Sequence, residues 1–250
     1  ADTEPEGHLP AYNRAFKDYG LDWRWTKKLY RKLLLISGGR ERINHYLDSY
    51  EPELGPNDER VREDRDSWVA ELHQSKSRYF RDRLRKGRVP LRAGVARLIR
   101  EAGESGLRIA IVTNATRATL EPFLAYALGD ELLSYIELTV CGDEVDNKKP
   151  APDVYRMACE RLGCDPGECI AIEDSNAGVR AAHGAHVPAL VTVNADTRDQ
   201  VFDSASAVLD SLGEPDLPVT ILKSPGFDFD YVNLDVLRRI NNEAAPASAD

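Results

Sequence analysis

The sequence predicts an α/β protein, a doubly wound parallel sheet with an α-helical unit inserted near the N-terminus. Before Pro90 the apolar residues recur at helical spacing, and no apolar run of strand length interrupts them. After Pro90 short apolar runs alternate with helical stretches, as expected for parallel strands joined by helical crossovers. A chain of 250 residues is long enough for one such core and a smaller helical unit.

The helical unit is predicted to contain four helices within residues 5–88. The first has apolar residues three and four apart and ends at Gly20, and Thr26 can cap the second. The third passes through Ile43, and the fourth is one long charged helix. Its charge-rich stretch at residues 58–66 is interpreted as a solvated helix face, not a binding patch.

The α/β core is predicted to span residues 89–222 and a C-terminal extension residues 223–250. Beyond Arg239 the chain has little to bury, so the extension is expected to be partly mobile. Four strands and three crossover helices are predicted in the core. The strands are residues 107–112, 136–140, 169–172 and 189–193, and the helices are residues 95–102, 115–128 and 152–162.

Composition excludes several kinds of partner. A formal net charge of −9 offers no basic surface for nucleic acid. No apolar run approaches the roughly 18 residues that cross a bilayer, and the acidic start does not resemble a signal peptide. We predict a cytoplasmic monomer that binds a small molecule. A plastid location is the alternative for a photosynthetic eukaryotic source, because a targeting peptide could precede Ala1.

The cysteines are interpreted as reduced thiols. None forms a C-x-x-C pair, and each lies beside apolar residues, where a free thiol packs as a small hydrophobe. The five histidines form neither H-E-x-x-H nor a finger spacing, which argues against zinc. The four cysteines are Cys141, Cys159, Cys164 and Cys169.

Polar side chains follow three of the predicted strands. Thr113 and Asn114 follow one strand, Asp143 lies just beyond another, and Glu173 and Asp174 end a third. In doubly wound sheets ligands bind at the carboxyl ends of the strands. Taken alone, each pair is typical of a turn, a cap or a helix start, but their shared position at one sheet edge favours a binding site.

These residue types suit magnesium-assisted phosphate chemistry. Asp174, beside Glu173, offers hard oxygen ligands for Mg²⁺, which takes one or two carboxylates and keeps several waters. Lys149, fixed by the proline that follows it, offers a point charge for phosphate oxygens. Thr113 offers a hydroxyl, and the backbone N–H groups of Asn114 and the next residue can bind an anion at a helix start.

Three segments resemble the motifs of the haloacid dehalogenase-like hydrolases. Val112-Thr113-Asn114 resembles the second motif, Lys149-Pro150 the third and Glu173-Asp174 the fourth. Further segments are similar to the CbbY-type sugar phosphatases of that superfamily: Ala1-Asp-Thr-Glu4, Gly7-His8, Gly20-Leu-Asp-Trp23 and Ser37-Gly-Gly-Arg-Glu-Arg-Ile43. The resemblance implies an α/β core with a helical cap and a sugar phosphate or bisphosphate substrate, such as xylulose 1,5-bisphosphate.

The resemblance also implies roles for the residues at the sheet edge. Thr113 would contact the transferring phosphate, and Lys149 would balance its charge. Asp174 would bind Mg²⁺, with Glu173 in support.

The same resemblance implies that four further residues recognise the substrate. Glu4, His8 and Arg42 would select the sugar from the cap. Arg117, one helical step past the second motif, could hold a phosphate.

One motif of the family is absent from the 250 residues. The first motif, D-x-D-G-T, supplies the aspartate that attacks phosphorus and a second aspartate that acts as general acid and base. It is expected immediately before Ala1, and Asp228-Phe-Asp230 lacks its glycine turn. Without that nucleophile no aspartyl-phosphate can form, so we expect the chain as printed to be an inactive fragment of an active phosphatase. Loss of its central strand would also leave two strand edges unpaired.

Two alternative functions remain open at this point. A β-phosphoglucomutase-like mutase would share the fold, the magnesium and most site residues, and would pass the phosphoryl group to a sugar hydroxyl. A noncatalytic sugar-phosphate-binding protein would keep Lys149 and need no nucleophile.

Overall fold

A computed structural model describes residues 3–36 and 38–244 of the chain. The chain divides into two compact units, Ala1–Pro90 and Leu91–Asp250, which are described separately below. The expectations that concern residues 1–2, residue 37 and the last residues, 245–250, lie outside the described part of the chain.

The first unit is helical, as predicted. Thr26 caps its second helix, where Oγ1 accepts a hydrogen bond of 3.2 Å from the Leu29 N–H. Its elements are a π-helical turn at Thr3–His8, α1 at Leu9–Asp18, α2 at Lys27–Leu33, α3 at Gly39–Tyr50, a 3-10 turn at Gly55–Asn57, α4 at Asp58–Glu63 and α5 at Arg65–Arg85.

The prediction of one long charged helix is wrong at Asp64. This residue leaves the helical conformation, with φ −151° and ψ 84°, and its carboxylate accepts a 3.0 Å hydrogen bond from the Ser67 N–H. An aspartate at this position competes with helix continuation by satisfying the first N–H groups of the next helix. The segment therefore forms α4 and α5, and most of its charged side chains are exposed as expected.

Aromatic side chains form the core of the helical unit. Tyr12 and Phe16 of α1 pack on Trp25, with ring centroids 4.6 and 4.9 Å apart. Tyr30 and Trp68 are equally buried and join the same cluster. Large apolar surfaces from α1, α2 and α5 are thereby removed from water, which stabilises an otherwise highly charged set of helices.

The second unit contains the predicted α/β core. The four predicted strands and three crossover helices are present, and their ends are shifted by at most two residues except at the end of the second crossover helix, which continues past a kink at Gly129 to Ser134. The elements are α6 at Val95–Glu104, β1 at Ile109–Val112, α7 at Arg117–Ser134, β2 at Ile136–Val140, α8 at Asp153–Leu162, a 3-10 turn at Pro166–Glu168, β3 at Ala171–Glu173, α9 at Asn176–Gly184, β4 at Ala189–Thr192, β5 at Ala207–Leu209, β6 at Ile221–Lys223 and α10 at Leu234–Ala244.

The strands form two sheets. β1 and β2 pair in parallel, and the Thr113 N–H continues this ladder with a 3.0 Å hydrogen bond to the Val140 carbonyl. The second sheet has the order β3-β4-β5-β6, parallel except for β6. Within the described residues no strand pairs with the remaining edge of β1 or of β3.

The two sheets share their covering helices. On one face, α8 packs in a core cluster that includes Val140 beside β4 residues such as Val191. On the other face, Leu98 of α6 packs against the four-stranded sheet, while Ile99 of α6 packs with Ile111 of β1. Helices therefore bridge the two sheets on both faces.

β1 and β3, the strands with the unpaired edges, are less buried than their apolar sequences predict. All four apolar residues of β1 are only half-buried, and Ile172 of β3 is 41% exposed. By contrast, every residue of β4 is buried. Strands inside a doubly wound sheet are normally covered on both faces and both edges.

The C-terminal part of the chain differs from the expectation. The core continues past residue 222, because β6 pairs with β5 and α10 packs on the four-stranded sheet. Ile240 of α10 is 1% exposed, so the prediction that the chain beyond Arg239 has little to bury is wrong for this residue. Its apolar spacing, with Val236 and Leu237 in the same cluster, is that of an amphipathic helix.

Among the helices of the described residues, none has the length and apolar character needed to cross a membrane.

Candidate active site

Lys149 lies between the carboxyl ends of β1 and β3. Its Nζ donates to the Val112 carbonyl at 2.9 Å and to Glu173 Oε1 at 2.5 Å. The side chains of Lys149 and Glu173 are only 10% and 7% exposed. The structure thus brings two of the predicted site residues together in a nearly buried ion pair.

Asn114 fixes the backbone of Lys149. The Asn114 side chain donates to the Lys149 carbonyl at 3.0 Å and accepts from the Lys149 N–H at 2.8 Å, and the bond from Lys149 to Pro150 is cis. The loop that carries Lys149 is therefore attached to the end of β1. The predicted substrate contact of Asn114 would have to come from its backbone, because its side-chain amide is bonded to Lys149.

Thr113 starts the turn that leads from β1 to α7. Its Oγ1 accepts a 3.1 Å hydrogen bond from the Ala115 N–H, and α7 begins only at Arg117. The sequence predicted that the Ala115 N–H faces outward. It points to the threonine hydroxyl instead. The hydroxyl keeps its own proton to donate.

Glu173 is held by more than the lysine. The Tyr155 hydroxyl, from α8, donates to the same Oε1 atom, and burial followed by the Glu173 charge raises the pKa of Tyr155 well above its ordinary value. Gly178 packs directly against the Glu173 carboxylate, where a Cβ atom would overlap it. These contacts make Glu173 an anchor for Lys149, and sequence reasoning identified neither Tyr155 nor Gly178.

Asp174 presents its carboxylate at the end of β3. The residue is exposed, and within the described residues no hydrogen bond engages it. Crowding by protein atoms and the neighbouring Glu173 carboxylate raise the pKa of Asp174, while Lys149 and Arg92 oppose the shift. Of the two predicted metal ligands, Asp174 is the one whose oxygens are available to a cation.

The hydrogen bonds of Arg117 differ from those that its predicted role requires. Its guanidinium donates to Thr139 Oγ1 at 2.9 Å and to Glu144 Oε1 at 2.6 Å, and its backbone N–H donates to Asp143 Oδ1 at 3.1 Å. Arg161 also donates to Glu144, and this bond more than any other holds the pKa of Glu144 down, at about 2. The network attaches α7 and α8 to the end of β2, which argues against a phosphate contact by Arg117.

In the helical unit, Glu4 and Arg42 meet at one hydroxyl group. The Tyr30 hydroxyl donates to Glu4 Oε2 at 2.5 Å and accepts from Arg42 Nη1 at 3.1 Å. Arg42, which is 8% exposed, also donates from Nε to the Leu33 carbonyl at the end of α2. The predicted pair is thus connected through Tyr30, and Arg42 stabilises the α2 terminus as well.

Cationic and imidazole groups surround this pair. His8 stacks on Phe80 at 3.9 Å, and its buried Nδ1 has no hydrogen-bond partner. Lys76 is 6% exposed, lies 4.8 Å from the centre of the Tyr12 ring, and finds no hydrogen-bond acceptor among the described residues. Burial and the Arg42 charge lower the pKa of Lys76 to about 8, against the pull of Glu4. Sequence reasoning missed Lys76, because it lies on a charged helix of ordinary pattern.

The cluster of the helical unit has an excess of positive charge. Glu4 faces two cations there, Arg42 and Lys76. Burial first, and then the Lys76 and Arg42 charges, lower the pKa of His8 well below 6.5. Buried donors without acceptors are costly unless a ligand satisfies them. The cluster is therefore suited to an anionic or hydroxyl-rich small molecule.

Comparisons with known proteins give a consistent result. A protein-family model described as haloacid dehalogenase-like hydrolase matches residues 6–186. Protein CbbY, plasmid, from Cupriavidus necator is 41% identical over 238 residues, which cover 95% of this chain and 91% of that protein.

Two solved structures of CbbY from Rhodobacter sphaeroides are similar to the fold at 34% sequence identity, and each comparison covers 84% of this chain and 89% of that one. The first, a complex with phosphate, has a TM-score of 0.70. The second, a mutant in complex with xylulose-(1,5)bisphosphate, has a TM-score of 0.69.

Proposed function

Because the chain belongs to the haloacid dehalogenase-like hydrolases and to their CbbY group, we propose that the intact protein is a magnesium-dependent phosphatase of a sugar phosphate or bisphosphate. The observation that carries the proposal is the position of Lys149. Its ammonium is fixed between the ends of β1 and β3, and its partner Glu173 directly precedes Asp174, whose carboxylate is available.

Lys149 would neutralise the phosphate that is transferred. An ammonium group has three N–H donors, and within the described residues Val112 and Glu173 accept two of them. The third can reach a phosphate oxygen, with the Thr113 hydroxyl as a second donor. Donors held in place before the substrate arrives stabilise the charge that spreads over the phosphoryl oxygens in the transition state.

The residues at the end of β3 fit a magnesium ion. Mg²⁺ is bound by one or two carboxylates, waters and substrate phosphate, and Asp174 supplies one available carboxylate. Glu173 would support the site by holding Lys149, since its own carboxylate already accepts from Lys149 and Tyr155. When bound, the ion would supply positive charge against the phosphate oxygens.

We place the nucleophilic aspartate on a further strand between β1 and β3, outside the 250 residues. Within the described residues both strands have an unpaired edge, α6 and α8 cover both sheets, and Lys149 contacts the two strand ends. An aspartate at the carboxyl end of such a strand would lie beside Lys149 and Asp174. It would form the aspartyl-phosphate that water then hydrolyses.

The helical unit would select the sugar. Glu4, His8 and Arg42 keep the selective role that the resemblance implies, and Lys76 adds a cation suited to a second phosphate. The CbbY structure in complex with xylulose-(1,5)bisphosphate supports a bisphosphate of this type as the substrate. We further propose a monomer that acts in the cytoplasm, or in a plastid if the source is a photosynthetic eukaryote.

The proposal is tested by phosphate release from a panel of sugar phosphates and bisphosphates. The protein used should include the aspartate-bearing strand, with the 250-residue chain and an Asp174→Asn variant as matched controls. We expect Mg²⁺-dependent release, strongest for a bisphosphate, and a loss of about a hundredfold or more in Asp174→Asn.

Two results would contradict the proposal. Full Mg²⁺-dependent activity in Asp174→Asn would remove Asp174 from the metal site. Movement of the phosphoryl group between two positions of one sugar, without free phosphate, would assign the protein as a mutase.

A further inference from the structure

Three of the four cysteines converge outside the candidate active site. The sulfur atoms of Cys159, Cys164 and Cys169 all lie within 4.8 Å of one another, and those of Cys164 and Cys169 are 3.3 Å apart. Cys159 is buried in the last turn of α8, while the other two are partly exposed. The expectation of separate packing thiols did not anticipate this cluster, because the cysteines are five residues apart.

The backbone holds the first two thiols in place. α8 ends in a Schellman motif, in which the Cys164 N–H donates to the Cys159 carbonyl at 3.2 Å and the Gly163 N–H donates to the Glu160 carbonyl at 3.1 Å. Gly163 takes the left-handed conformation that this motif requires, with φ 62°.

The third thiol is positioned by the turn that follows. Asp165 and Glu168 cap the 3-10 turn reciprocally, and the Cys169 N–H donates to the Pro166 carbonyl at 3.1 Å. Backbone hydrogen bonds thus hold the main chain at all three cysteines.

Packing alone explains only part of the cluster. In a Schellman motif the residues at the positions of Cys159 and Cys164 commonly make an apolar contact. A pair of small hydrophobes would serve that purpose. It does not account for a third thiol, Cys169, against the same pair.

We propose that Cys159, Cys164 and Cys169 form a binding site for a thiophilic metal ion, with Zn²⁺ as the ion that fits it. Zinc bonds to sulfur at about 2.3 Å in tetrahedral geometry, which places its sulfur ligands roughly 3.7 Å apart. The observed sulfur separations, from 3.3 Å to at most 4.8 Å, bracket this spacing. Because two of the thiols are partly exposed, a water molecule can take the fourth position.

The charge balance is also suitable. Binding converts three thiols and Zn²⁺ into a tris-thiolate complex of charge −1 and releases three protons to the solvent. Arg108 is close by, attached to Glu137 and to the Leu162 carbonyl at the end of α8. The Arg108 guanidinium, which Glu137 shares, therefore lies beside the negative complex.

Zinc titration of the reduced, metal-free chain tests the site. Zn²⁺ is titrated against a chromophoric chelator in the presence of excess Mg²⁺, and Co²⁺ is used as a spectroscopic substitute. We expect one Zn²⁺ per chain, a rise in melting temperature and a thiolate-to-cobalt charge-transfer band. Cys164→Ser and Cys169→Ser should each weaken binding by at least about tenfold, since each removes a ligand.

Cys141→Ser is the matched control, because it removes a thiol from outside the cluster. It should bind Zn²⁺ like the unmodified chain. The proposal is overturned if the reduced chain binds no Zn²⁺, or if Cys169→Ser binds it unchanged. A Cys164–Cys169 disulfide in protein kept without reductant, with no zinc uptake after reduction, would assign the pair to redox chemistry instead. None of these results depends on phosphatase activity.

Discussion

Lys149 is the residue on which the candidate active site depends. Its ammonium contacts Val112 at the end of β1 and Glu173 at the end of β3, and Asn114 holds its backbone. A buried ion pair of this kind is sensitive to the loss of one partner, because the other charge is then left uncompensated.

The first prediction concerns this ion pair. In a protein that carries the proposed aspartate strand, Lys149→Ala should lower kcat by about 10² to 10³-fold and the free energy of unfolding by about 3–5 kcal/mol. Phosphate release and urea denaturation measure the two effects.

A double variant separates stability from catalysis. In Lys149→Met with Glu173→Gln no buried charge is left unpaired, so most of the stability should return while turnover stays low. Turnover near the unmodified level in the double variant would contradict the assigned role of Lys149.

The second prediction concerns Lys76 in the helical unit. Its pKa is lowered from 10.5 to about 8, so the folded protein loses this positive charge as pH rises through about 8, while the unfolded chain keeps it until about 10.5. Burial of the ammonium therefore opposes folding below pH 8, and this cost disappears as pH rises toward 10.5.

The binding of an anionic substrate depends on pH in the opposite direction to folding stability, because the charged form of Lys76 attracts the substrate. We expect KM for a bisphosphate to rise above about pH 8. Lys76→Met should bind about tenfold more weakly at pH 7 and lose this pH dependence. A variant that keeps the rise in KM would show that another group titrates.

The sequence predicted the residues that follow strands and missed those that support them. Lys149 could be predicted because a proline follows it. Asp174 could be predicted because it lies at the end of a strand. Tyr155, Gly178 and Lys76 lie within helices whose apolar or charged spacing is ordinary. Their importance follows from contacts between residues far apart in the chain, which local pattern does not contain.

Among the secondary-structure elements, the strands β1 to β4 and their crossover helices were predicted, while β5, β6 and the division of α4 from α5 were not. β5 and β6 have three residues each, and their pairing depends on neighbours in the sheet. The division of α4 from α5 depends on the single cap at Asp64. α10 was read as part of a mobile extension because the polar residues near its end obscure its apolar face.

The third prediction tests the packing of α10. Ile240→Ala should lower the free energy of unfolding by about 2–5 kcal/mol, because it leaves a cavity beneath the helix. Asn242→Ala, at an exposed position of the same helix, should change it by less than about 0.5 kcal/mol. Equal effects in urea denaturation would place α10 outside the cooperative core.

At the scale of the whole molecule, the α/β core has two sheets where one doubly wound sheet was predicted. The parallel pairing of β1 with β2 and of β3 with β4 agrees with the prediction, and within the described residues β1 and β3 each have one edge without a partner strand. The sequence could predict the parallel pairing because helical stretches of crossover length separate the strands. It could not show that Lys149 would still join the two strand ends.

The fourth prediction concerns hydrogen exchange at β1. The Thr113 N–H pairs with β2, so by strand alternation the N–H of Ile111 points to β2 and those of Ala110 and Val112 to the open edge. In the 250-residue chain the amides of Ala110 and Val112 should exchange much faster than that of Ile111. Equal protection of the three amides would argue against an open edge.

The same amides provide the comparison with the longer protein. In a protein that carries the aspartate strand, the N–H groups of Ala110 and Val112 should become as protected as that of Ile111. No gain in protection would place the added strand elsewhere.

The open edges of β1 and β3 also make the core an acceptor for an external strand. Within the described residues no other strand pairs with these two edges, and helices cover both faces beside them, so a strand from a separate molecule can add to them. A synthetic peptide carrying the D-x-D-G-T segment should therefore reconstitute phosphatase activity when mixed with the 250-residue chain. Such two-piece assembly would allow the nucleophile to be exchanged chemically, residue by residue, without altering the remainder of the enzyme.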